Sequence, residues 1–486
     1  MLQVRRFGFC LLLVCGLTGL VACAAETNSL VWNTAAGRVD ADIHGEPLWP
    51  LLEDIAHQTG WHIFVEPGSV RNASTKFKDL PPDDALRMLL GDLNFAFMPQ
   101  TNGPDFLYVF TTSRENATQL VRPEKPLVKK QGHVPNELMV KLKPGADIDA
   151  LAKSLGAKVV ARDDKLGIYL LDFPDATSTA AALAALQGNN EVAAVDYNYY
   201  FDPPPVTQPI PSSSVPPGAG SISLKLNAPT DGDPCSPIVG MIDTGIQSQA
   251  LGNLNQSMLP AISVIGNAGS GASVQSIGSP VELITPKQVA SPGGSGVPTH
   301  GTAMAETILR AVSQASGGSS PVRILPVDVY GTSETTTSWN VALGVQAAVD
   351  NGATVLNMSL GGSGDSSVLE SVIQQALAGG VVIFAAAGNT PVSTPTYPAA
   401  YPGVNDVTAL SQPGQLASYA DFSPQVDMAL PGASVVYVGN QTFLVQGTSP
   451  ATAYATGIAA GTKGLNCPTW AQIQAAMQAK FLVPKQ

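Results

Sequence analysis

Charged residues are scarce in this chain, at 13% of its 486 residues. So small a share argues against a coiled coil, which is rich in charged side chains. Positive charge is the scarcer sign, with 25 basic against 37 acidic residues and a net charge of −12. Because phosphate binding requires a basic surface, we expect no nucleic acid as a partner. Hydrophobic residues, at 44%, are too frequent for a disordered protein.

Cysteine is also scarce, with five residues in the chain. Cys10, Cys15 and Cys23 lie near the N-terminus, so only Cys235 and Cys467 remain for the folded part. Two cysteines allow one disulfide bond in an oxidising compartment. Two separate buried thiols are the alternative, and counting cysteines does not choose between the two.

The N-terminus has the pattern of an export signal. Arg5 and Arg6 precede an uncharged apolar run over residues 7–22, and small residues follow it. A membrane span is the alternative, but such a helix needs about 20 residues. We therefore expect an exported protein, located in the periplasm, at the outer membrane or, after processing, outside the cell.

The end of this leader, Leu20-Val21-Ala22-Cys23, resembles the lipobox of bacterial lipoproteins. The resemblance implies that Cys23 is lipidated and becomes the first mature residue, so that a lipid anchor is the expected contact with a membrane. Ordinary cleavage near Ala24 or Ala25 is the alternative.

The rest of the chain divides into three globular segments joined by charged or Pro-rich linkers. The boundaries that we predict are a signal peptide over 1–23, an N-terminal domain over 28–112, a linker over 113–132, a second domain over 133–201, a Pro-rich linker over 202–225 and a C-terminal domain over 226–486.

The first segment alternates predicted strands with two helices that carry leucines on one face and end at Gly60 and Gly91. This arrangement resembles the short N-terminal domain of secretins and TonB-dependent receptors, which implies an envelope protein as a partner. His57 and His62 have no cluster of metal ligands around them, so we interpret both as ordinary histidines.

The other two segments have different patterns. Residues 133–201 contain two βαβ-like halves, which predicts a ferredoxin-like sandwich. The third segment has near-continuous apolar runs over 238–242, 324–330, 355–360 and 381–387, as strands buried on both faces of a parallel sheet require. Helical stretches lie between these runs. The pattern predicts a three-layer α/β domain with a mostly parallel sheet, preceded by two small α+β domains.

Three short motifs in the third segment carry candidate catalytic residues: Asp243-Thr244-Gly245, His300-Gly301-Thr302 and Gly447-Thr448-Ser449. The first follows an apolar run, and the other two open helical stretches. Active sites of open parallel sheets lie beyond the carboxyl ends of the strands. Taken singly, each motif has a structural explanation: the first could be a turn, the second a structural histidine and the third a helix N-cap. Together they have the order Asp, His, Ser of the subtilisin triad.

Further segments complete a family pattern: Asn357-Met358-Ser359-Leu360-Gly361-Gly362, Ala386-Ala387-Gly388-Asn389 and Tyr397-Pro398-Ala399. With the triad motifs they occur in order over residues 238–461, and the chain resembles the subtilisin-like serine proteases, the subtilases. The resemblance implies an endopeptidase that hydrolyses peptide bonds in proteins or peptides. It also implies a substrate cleft lined by Ser359, Leu360, Gly361, Ala387 and Gly388.

The resemblance assigns catalytic roles to four residues. Ser449 would be the nucleophile, His300 the base and then the acid, and Asp243 the group that orients His300. The Asn389 amide and the Ser449 N–H would hold the oxyanion. Two positions depart from the family: the chain has Ala453 where Pro is usual and Glu306 where Gly is usual. Neither departure removes a catalytic group.

The family also gives the second segment a meaning. Residues 133–201 match a propeptide in size and position, so the chain's own propeptide is an expected partner that blocks the cleft until it is cut off. A permanent accessory domain is the alternative. We expect no cofactor. Bound calcium is common in the family, but we identify no full set of carboxylate ligands and assign no metal site.

Two further expectations concern pairing and function. Cys235 precedes the strand that ends at Asp243, and Cys467 follows the helix of Ser449, so we predict that the two cysteines form a disulfide. The alternative function is an envelope protein-binding scaffold with weak or no catalytic activity. The complete set of triad residues and Asn389 argues against that alternative.

Overall fold

A computed structural model of the chain describes residues 28–34, 36–66, 69, 71–99, 105–114, 117, 119–121, 132–201, 205, 207–209, 222–228, 232–265, 297–412, 414–438 and 441–484. The predicted leader, with Cys23, lies outside these residues. The chain forms two compact units, Met1–Val128 and Lys129–Gln486. Within the described ranges, no helix has both the length and the apolar character needed to cross a membrane.

The N-terminal unit packs two helices against two small sheets, with strand orders β1-β2-β4 and β5-β6-β3-β7. Both predicted helices are present, and their leucines form its core. The elements are β1 (Ser29–Asn33), β2 (Arg38–Pro47), α1 (Leu48–Thr59), β3 (His62–Val65), β4 (Asn72–Leu80), α2 (Pro82–Leu90), β5 (Asn94–Met98), β6 (Phe106–Phe110) and β7 (Gln119–Val121).

The middle domain opens the second unit and has the predicted ferredoxin-like form. Its strands are ordered β11-β8-β10-β9 with antiparallel neighbours, and two helices follow β8 and β10. The elements are β8 (His133–Leu142), α3 (Ile148–Leu155), β9 (Lys158–Asp163), β10 (Ile168–Asp172), α4 (Ala176–Gln187) and β11 (Val192–Phe201).

The strands of the C-terminal domain form one large sheet and several short pairs. The strands are β12 (Gln208–Pro209), β13 (Lys225–Leu226), β14 (Ile238–Asp243), β15 (Ile262–Ser263), β16 (Ser319–Ser320), β17 (Arg323–Asp328), β18 (Thr336–Thr337), β19 (Val355–Met358), β20 (Val382–Ala386), β21 (Asn405–Gln412), β22 (Gln415–Leu416), β23 (Met428–Pro431), β24 (Ala433–Val438) and β25 (Gln441–Gln446). The large sheet has the order β15-β17-β14-β19-β20-β21-β22, with β23 also on β21. Every pair in it is parallel except β21–β22.

Helices cover both faces of this sheet. They are α5 (His300–Ser316), α6 (Ser338–Asp350), α7 (Ser367–Ala378), α8 (Thr448–Asn466) and α9 (Trp470–Lys480). Alternate residues of the central strands enter opposite cores: Ile242 packs with α6 and α7, and Met241 packs with α5 and α8. The predicted three-layer α/β domain with a mostly parallel sheet is therefore confirmed.

The middle domain docks on α6 and α7 through side chains of β11. Asn198 Oδ1 accepts hydrogen bonds from the Trp339 N–H (3.0 Å) and the Ser338 hydroxyl (3.2 Å) at the start of α6. Asp196 Oδ2 accepts from the Ser367 N–H (2.6 Å) at the start of α7. The first turn of a helix has N–H groups without intrahelical acceptors, so these contacts satisfy donors that would otherwise be unpaired.

Candidate active site

Asp243 and His300 form a buried pair. Asp243 is the last residue of β14, and His300 is the first of α5, whose N-cap is Thr299. His300 Nδ1 lies 2.8 Å from Asp243 Oδ1 and 3.0 Å from Oδ2. Their side chains are 3% and 1% exposed, so solvent hardly weakens the interaction. With Nδ1 donating to the carboxylate, Nε2 is left as the proton acceptor, and it has no hydrogen-bond partner among the described residues.

Helices α5 and α8 lie side by side in the same direction. A Cβ on Gly457 of α8 would lie 2.4 Å from the carbonyl oxygen of Ile308 in α5. Four residues further on, a Cβ on Gly461 would lie 3.0 Å from the carbonyl oxygen of Val312. Glycine is therefore required at Gly457, because it lets the two backbones approach so closely.

This packing brings the two helix N-termini together. Both contacting pairs are separated by 149 residues in the chain, which is also the separation of His300 and Ser449. His300 in the first turn of α5 and Ser449 in the first turn of α8 thus lie at the same end of the helix pair. The positive ends of both helix dipoles point to this place, where negative charge would be stabilised.

The Ser449 side chain is held by the strand end after β19. Its Oγ donates to the Ser359 carbonyl (3.1 Å), and the Ser359 hydroxyl donates to the Ser449 carbonyl (3.0 Å). Asn357 Nδ2 in turn donates to Ser359 Oγ (3.0 Å). Ser449 is the second residue of α8, and Pro450 is the third, so the missing N–H of Pro450 falls in the first turn and costs no helical bond.

The Asn389 amide lies beside the start of α8. Its Oδ1 accepts from the Thr448 N–H (2.7 Å) and from Thr448 Oγ1 (3.2 Å), which leaves Nδ2 as a donor. Gly447, the N-cap of α8, has φ 144°. A Cβ there would lie 3.2 Å from both ends of the Asn389 amide and from Pro205 Cγ. Glycine therefore leaves room beside the amide.

A segment from the middle domain passes along this site. Tyr200 and Phe201 at the end of β11 pair antiparallel with β18, and Phe201 is buried in the core on that side. Further on, the Thr207 hydroxyl donates to the Pro298 carbonyl (2.7 Å), two residues before His300. Gln208–Pro209 then pairs with β25, the strand that leads to Gly447. Pro205 lies against Gly447, so the described residues Pro205 and Thr207 contact the chain next to both helix N-termini.

The predicted cleft residues take different positions. Ser359 contacts Ser449, whereas Leu360 and Ala387 are buried in the domain. A Cβ on Gly361 would meet Thr396, and one on Gly388 would meet Asp421, so these glycines face the protein interior.

Three residues outside the predicted set contact the segment instead. Thr336 and Thr337 pair with it, and Gly362 faces the Tyr200 carbonyl, which a Cβ would approach to 2.7 Å. Weak sequence signals exist for two of them: Thr337 precedes a predicted helix, and Gly362 ends a family motif. No such signal exists for Thr336.

The two departures from the family lie in buried places. Glu306, two turns into α5, accepts from the Tyr437 N–H (2.7 Å) and pairs with Arg310 (2.9 Å). Burial raises the pKa of Glu306 to about 7, although both partners oppose the rise. Ala453 is fully buried in α8.

Two further features concern ligands and cysteines. Cys235 and Cys467 form the predicted disulfide, with Cα atoms 5.0 Å apart. In the part of the chain that the structure describes, no group of three or more His, Cys, Asp or Glu side chains could hold a metal ion.

Comparison with known proteins identifies the family. The model of the subtilase family matches residues 236–481, which is half of the chain, and the model of the fervidolysin N-terminal prodomain matches residues 121–198. The chain therefore belongs to the subtilase family.

Similar proteins include the thermostable alkaline protease of Halalkalibacterium halodurans, 37% identical over 169 residues, which are 34% of this chain and 46% of that protein. Alkaline elastase YaB of a Bacillus species is 36% identical over 180 residues, covering 36% of this chain and 47% of that protein. The chain spans about half the length of these relatives. The crystal structure of fervidolysin from Fervidobacterium pennivorans, a keratinolytic enzyme related to subtilisin, has the same fold, with a TM-score of 0.54 at 21% identity over 71% of this chain and 57% of that chain.

Proposed function

We propose that the chain is a serine endopeptidase made as an exported precursor. The observation that carries this proposal is the buried Asp243–His300 pair at the N-terminus of α5, beside the α8 N-terminus that presents Ser449. A serine hydroxyl is a poor nucleophile until a base takes its proton, and the pair supplies an oriented base.

In the proposed reaction the Ser449 hydroxyl turns from the Ser359 carbonyl to His300 Nε2, which takes its proton. The Ser449 oxygen bonds to the substrate carbonyl carbon, and negative charge moves to the carbonyl oxygen. Asn389 Nδ2 and the Ser449 N–H donate to this oxyanion. His300 then protonates the leaving amine as the C–N bond breaks, which gives the acyl-enzyme. A water molecule then attacks the acyl-enzyme, with His300 as the base. This step releases the carboxylic acid end of the cleaved peptide and restores the Ser449 hydroxyl.

The middle domain acts in this proposal as a propeptide that occupies the cleft in cis. Support comes from the match of residues 121–198 to a subtilase-type prodomain and from the segment that passes Gly362, Gly447 and Pro298. A chain held there blocks access to Ser449 until it is cut and leaves.

Export and anchoring are proposals of their own. The leader pattern supports export, and a disulfide between Cys235 and Cys467 suits an oxidising compartment. We propose lipidation at Cys23 and binding of an envelope protein by the N-terminal unit. N-terminal sequencing with intact mass tests the leader: a free amino terminus at Ala24 or beyond contradicts lipidation.

A fluorophosphonate probe tests the enzymatic proposal. It reacts with activated serines, so purified protein freed of its middle domain should be labelled, and Ser449→Ala should not be. The scaffold alternative predicts no labelling of a folded wild-type protein. Labelling that persists in Ser449→Ala would assign the reactive serine elsewhere.

A further inference from the structure

A second buried carboxylate stands beside the triad. Asp328 ends β17 as Asp243 ends β14, and the two residues are register partners in neighbouring parallel strands. Partners in such a pair project their side chains from the same face of the sheet. Asp328 is 7% exposed, and burial, together with the proximity of Asp243, raises its pKa.

The carboxylate of Asp328 connects two loops. Its Oδ1 accepts from the N–H groups of Tyr330 (3.0 Å) and Gly331 (2.8 Å), in the loop that leads towards β18. The N–H of Gly245, in the turn that follows Asp243, also faces the carboxylate and lowers its pKa, against the rise that burial causes. N–H groups of both loops therefore face one carboxylate, which offers them two acceptor oxygens and a negative charge.

The backbone turn that follows Asp243 also positions α5. Thr244 Oγ1 accepts from the Gly301 N–H (2.8 Å), and the Thr244 N–H donates to Asp243 Oδ1 (2.7 Å). Asp328 is paired with Asp243 in register, and the Val329 N–H that follows it donates to the Asp243 carbonyl (3.0 Å), so its charge acts on the turn that holds Asp243 against the residue after His300.

A purely structural role does not require a charge at this place. An asparagine or serine could accept the two bonds of the loop, at a lower cost of burial than a carboxylate next to another carboxylate. We infer that Asp328 is a positioning residue for catalysis, which holds the turn of Asp243 so that its carboxylate stays aligned with His300. This inference rests on the proposed peptidase function.

The test is Asp328→Asn, which keeps the shape but removes the negative charge and replaces one acceptor oxygen by an amide donor. On active-site-titrated enzyme we expect kcat to fall about ten- to a hundredfold, the effect of losing a hydrogen bond to a charged group, while KM stays within about twofold. The matched control is Asp406→Asn, another buried carboxyl at 2% exposure in the same sheet, which should keep the wild-type kcat. An unchanged kcat in Asp328→Asn, whatever the KM, overturns the inference.

A double-mutant cycle tests whether the residue acts through Asp243. In an Asp243→Asn background, Asp328→Asn should cost little further activity, because residue 243 then no longer has the carboxylate that Asp328 aligns with His300. An equal loss in both backgrounds overturns the inference. If Asp328→Asn does not fold, Asp328→Ser keeps a hydroxyl acceptor for the loop and is expected to show the same loss of kcat. A folded wild type that neither turns over substrate nor reacts with the fluorophosphonate contradicts the proposed function instead.

Discussion

At the scale of the residue, the two ends of the Asn389 amide have different tasks. Oδ1 is held by the backbone and side chain of Thr448, which orients the group and leaves Nδ2 to donate. A donor that meets an oxyanion only as its charge develops stabilises the transition state more than the bound substrate.

Replacing Asn389 by Ala should therefore lower kcat about a hundred- to a thousandfold and leave KM nearly unchanged, as measured on active-site-titrated enzyme. Asn389→Asp is the matched control. It retains an acceptor for Thr448 and lacks the amide donor, so its kcat should fall as well. If Asn389 only caps the loop after β20, the Ala variant loses about 0.5–2 kcal/mol of stability and keeps kcat, which would contradict the oxyanion role.

Short motifs, taken in order and together with the resemblance to the subtilases, predicted Asp243, His300, Ser449 and Asn389 as site residues, and each lies at or just beyond the end of a strand or at the start of a helix. Asp328 could not be predicted in this way. Its place beside Asp243 depends on the register of β14 and β17, which the sequence pattern of two apolar runs does not specify.

At the scale of the element, Glu306 ties α5 to the edge strand β24. The carboxylate accepts from Arg310 on its own helix and from the Tyr437 N–H of the strand. The position that is usually Gly in the family thus has a buried carboxyl here, which pairs with Arg310 and links α5 to β24.

The stability of this arrangement should depend on pH. Burial raises the pKa of Glu306 from 4.5 to about 7, so the folded state favours the protonated carboxyl. The contribution of Glu306 to the free energy of unfolding is therefore largest below about pH 4.5, the pKa of the unfolded chain. It is lost as the pH rises through about 7, the pKa in the folded state. Relative to Glu306→Gln, the wild-type free energy of unfolding should fall by about 2–4 kcal/mol over this range.

Denaturant unfolding at several pH values measures this difference. Glu334→Gln, at an exposed position of the C-terminal domain, provides the control and should give a difference that does not change with pH. A difference between wild type and Glu306→Gln that is constant from about pH 4 to 8 would contradict the assignment.

Elements with strong local signals were predicted, and those without them were missed. Helices α1, α3 and α5 end at glycines in the left-handed conformation, which is visible in the sequence. Strands β4 and β5 were missed, since β4 exposes alternate polar side chains and β5 has no fully buried residue. The two-residue strand β18 exists through its pairing with β11 of another domain.

At the scale of the whole molecule, the disulfide joins the two ends of the C-terminal domain. Cys235 and Cys467 are 232 residues apart, and a bond over so long a loop restricts the unfolded chain strongly. Replacing both cysteines by Ser should lower the free energy of unfolding by about 3–5 kcal/mol, measured with denaturant under oxidising conditions. Two free thiols in unreduced wild-type protein would contradict the bond.

The docking of the middle domain is a property of the whole molecule that the sequence did not reveal. Its ferredoxin-like form was predictable from local periodicity. Its place on α6 and α7 depends on Asp196 and Asn198, two polar residues of β11 that meet helix N-termini far away in the chain. Periodicity predicts which face of a strand is apolar, but not which partner its polar residues find.

This docking makes self-processing the decisive test of maturation. Phe201 is anchored by pairing with β18, and Pro205 lies against Gly447, two residues before Ser449, so Pro205 is held close to the nucleophile. We expect the precursor to be cut between Asp196 and Ser214, and N-terminal sequencing with intact mass should locate the new terminus there. Ser449→Ala should accumulate as the uncut chain, because the same serine attacks the bond.

Adding active wild-type protein to that variant separates cutting within one chain from cutting between chains. Folded wild-type protein that retains the residues before Asp196 while it hydrolyses peptides would show that the middle domain is a permanent accessory and not a propeptide.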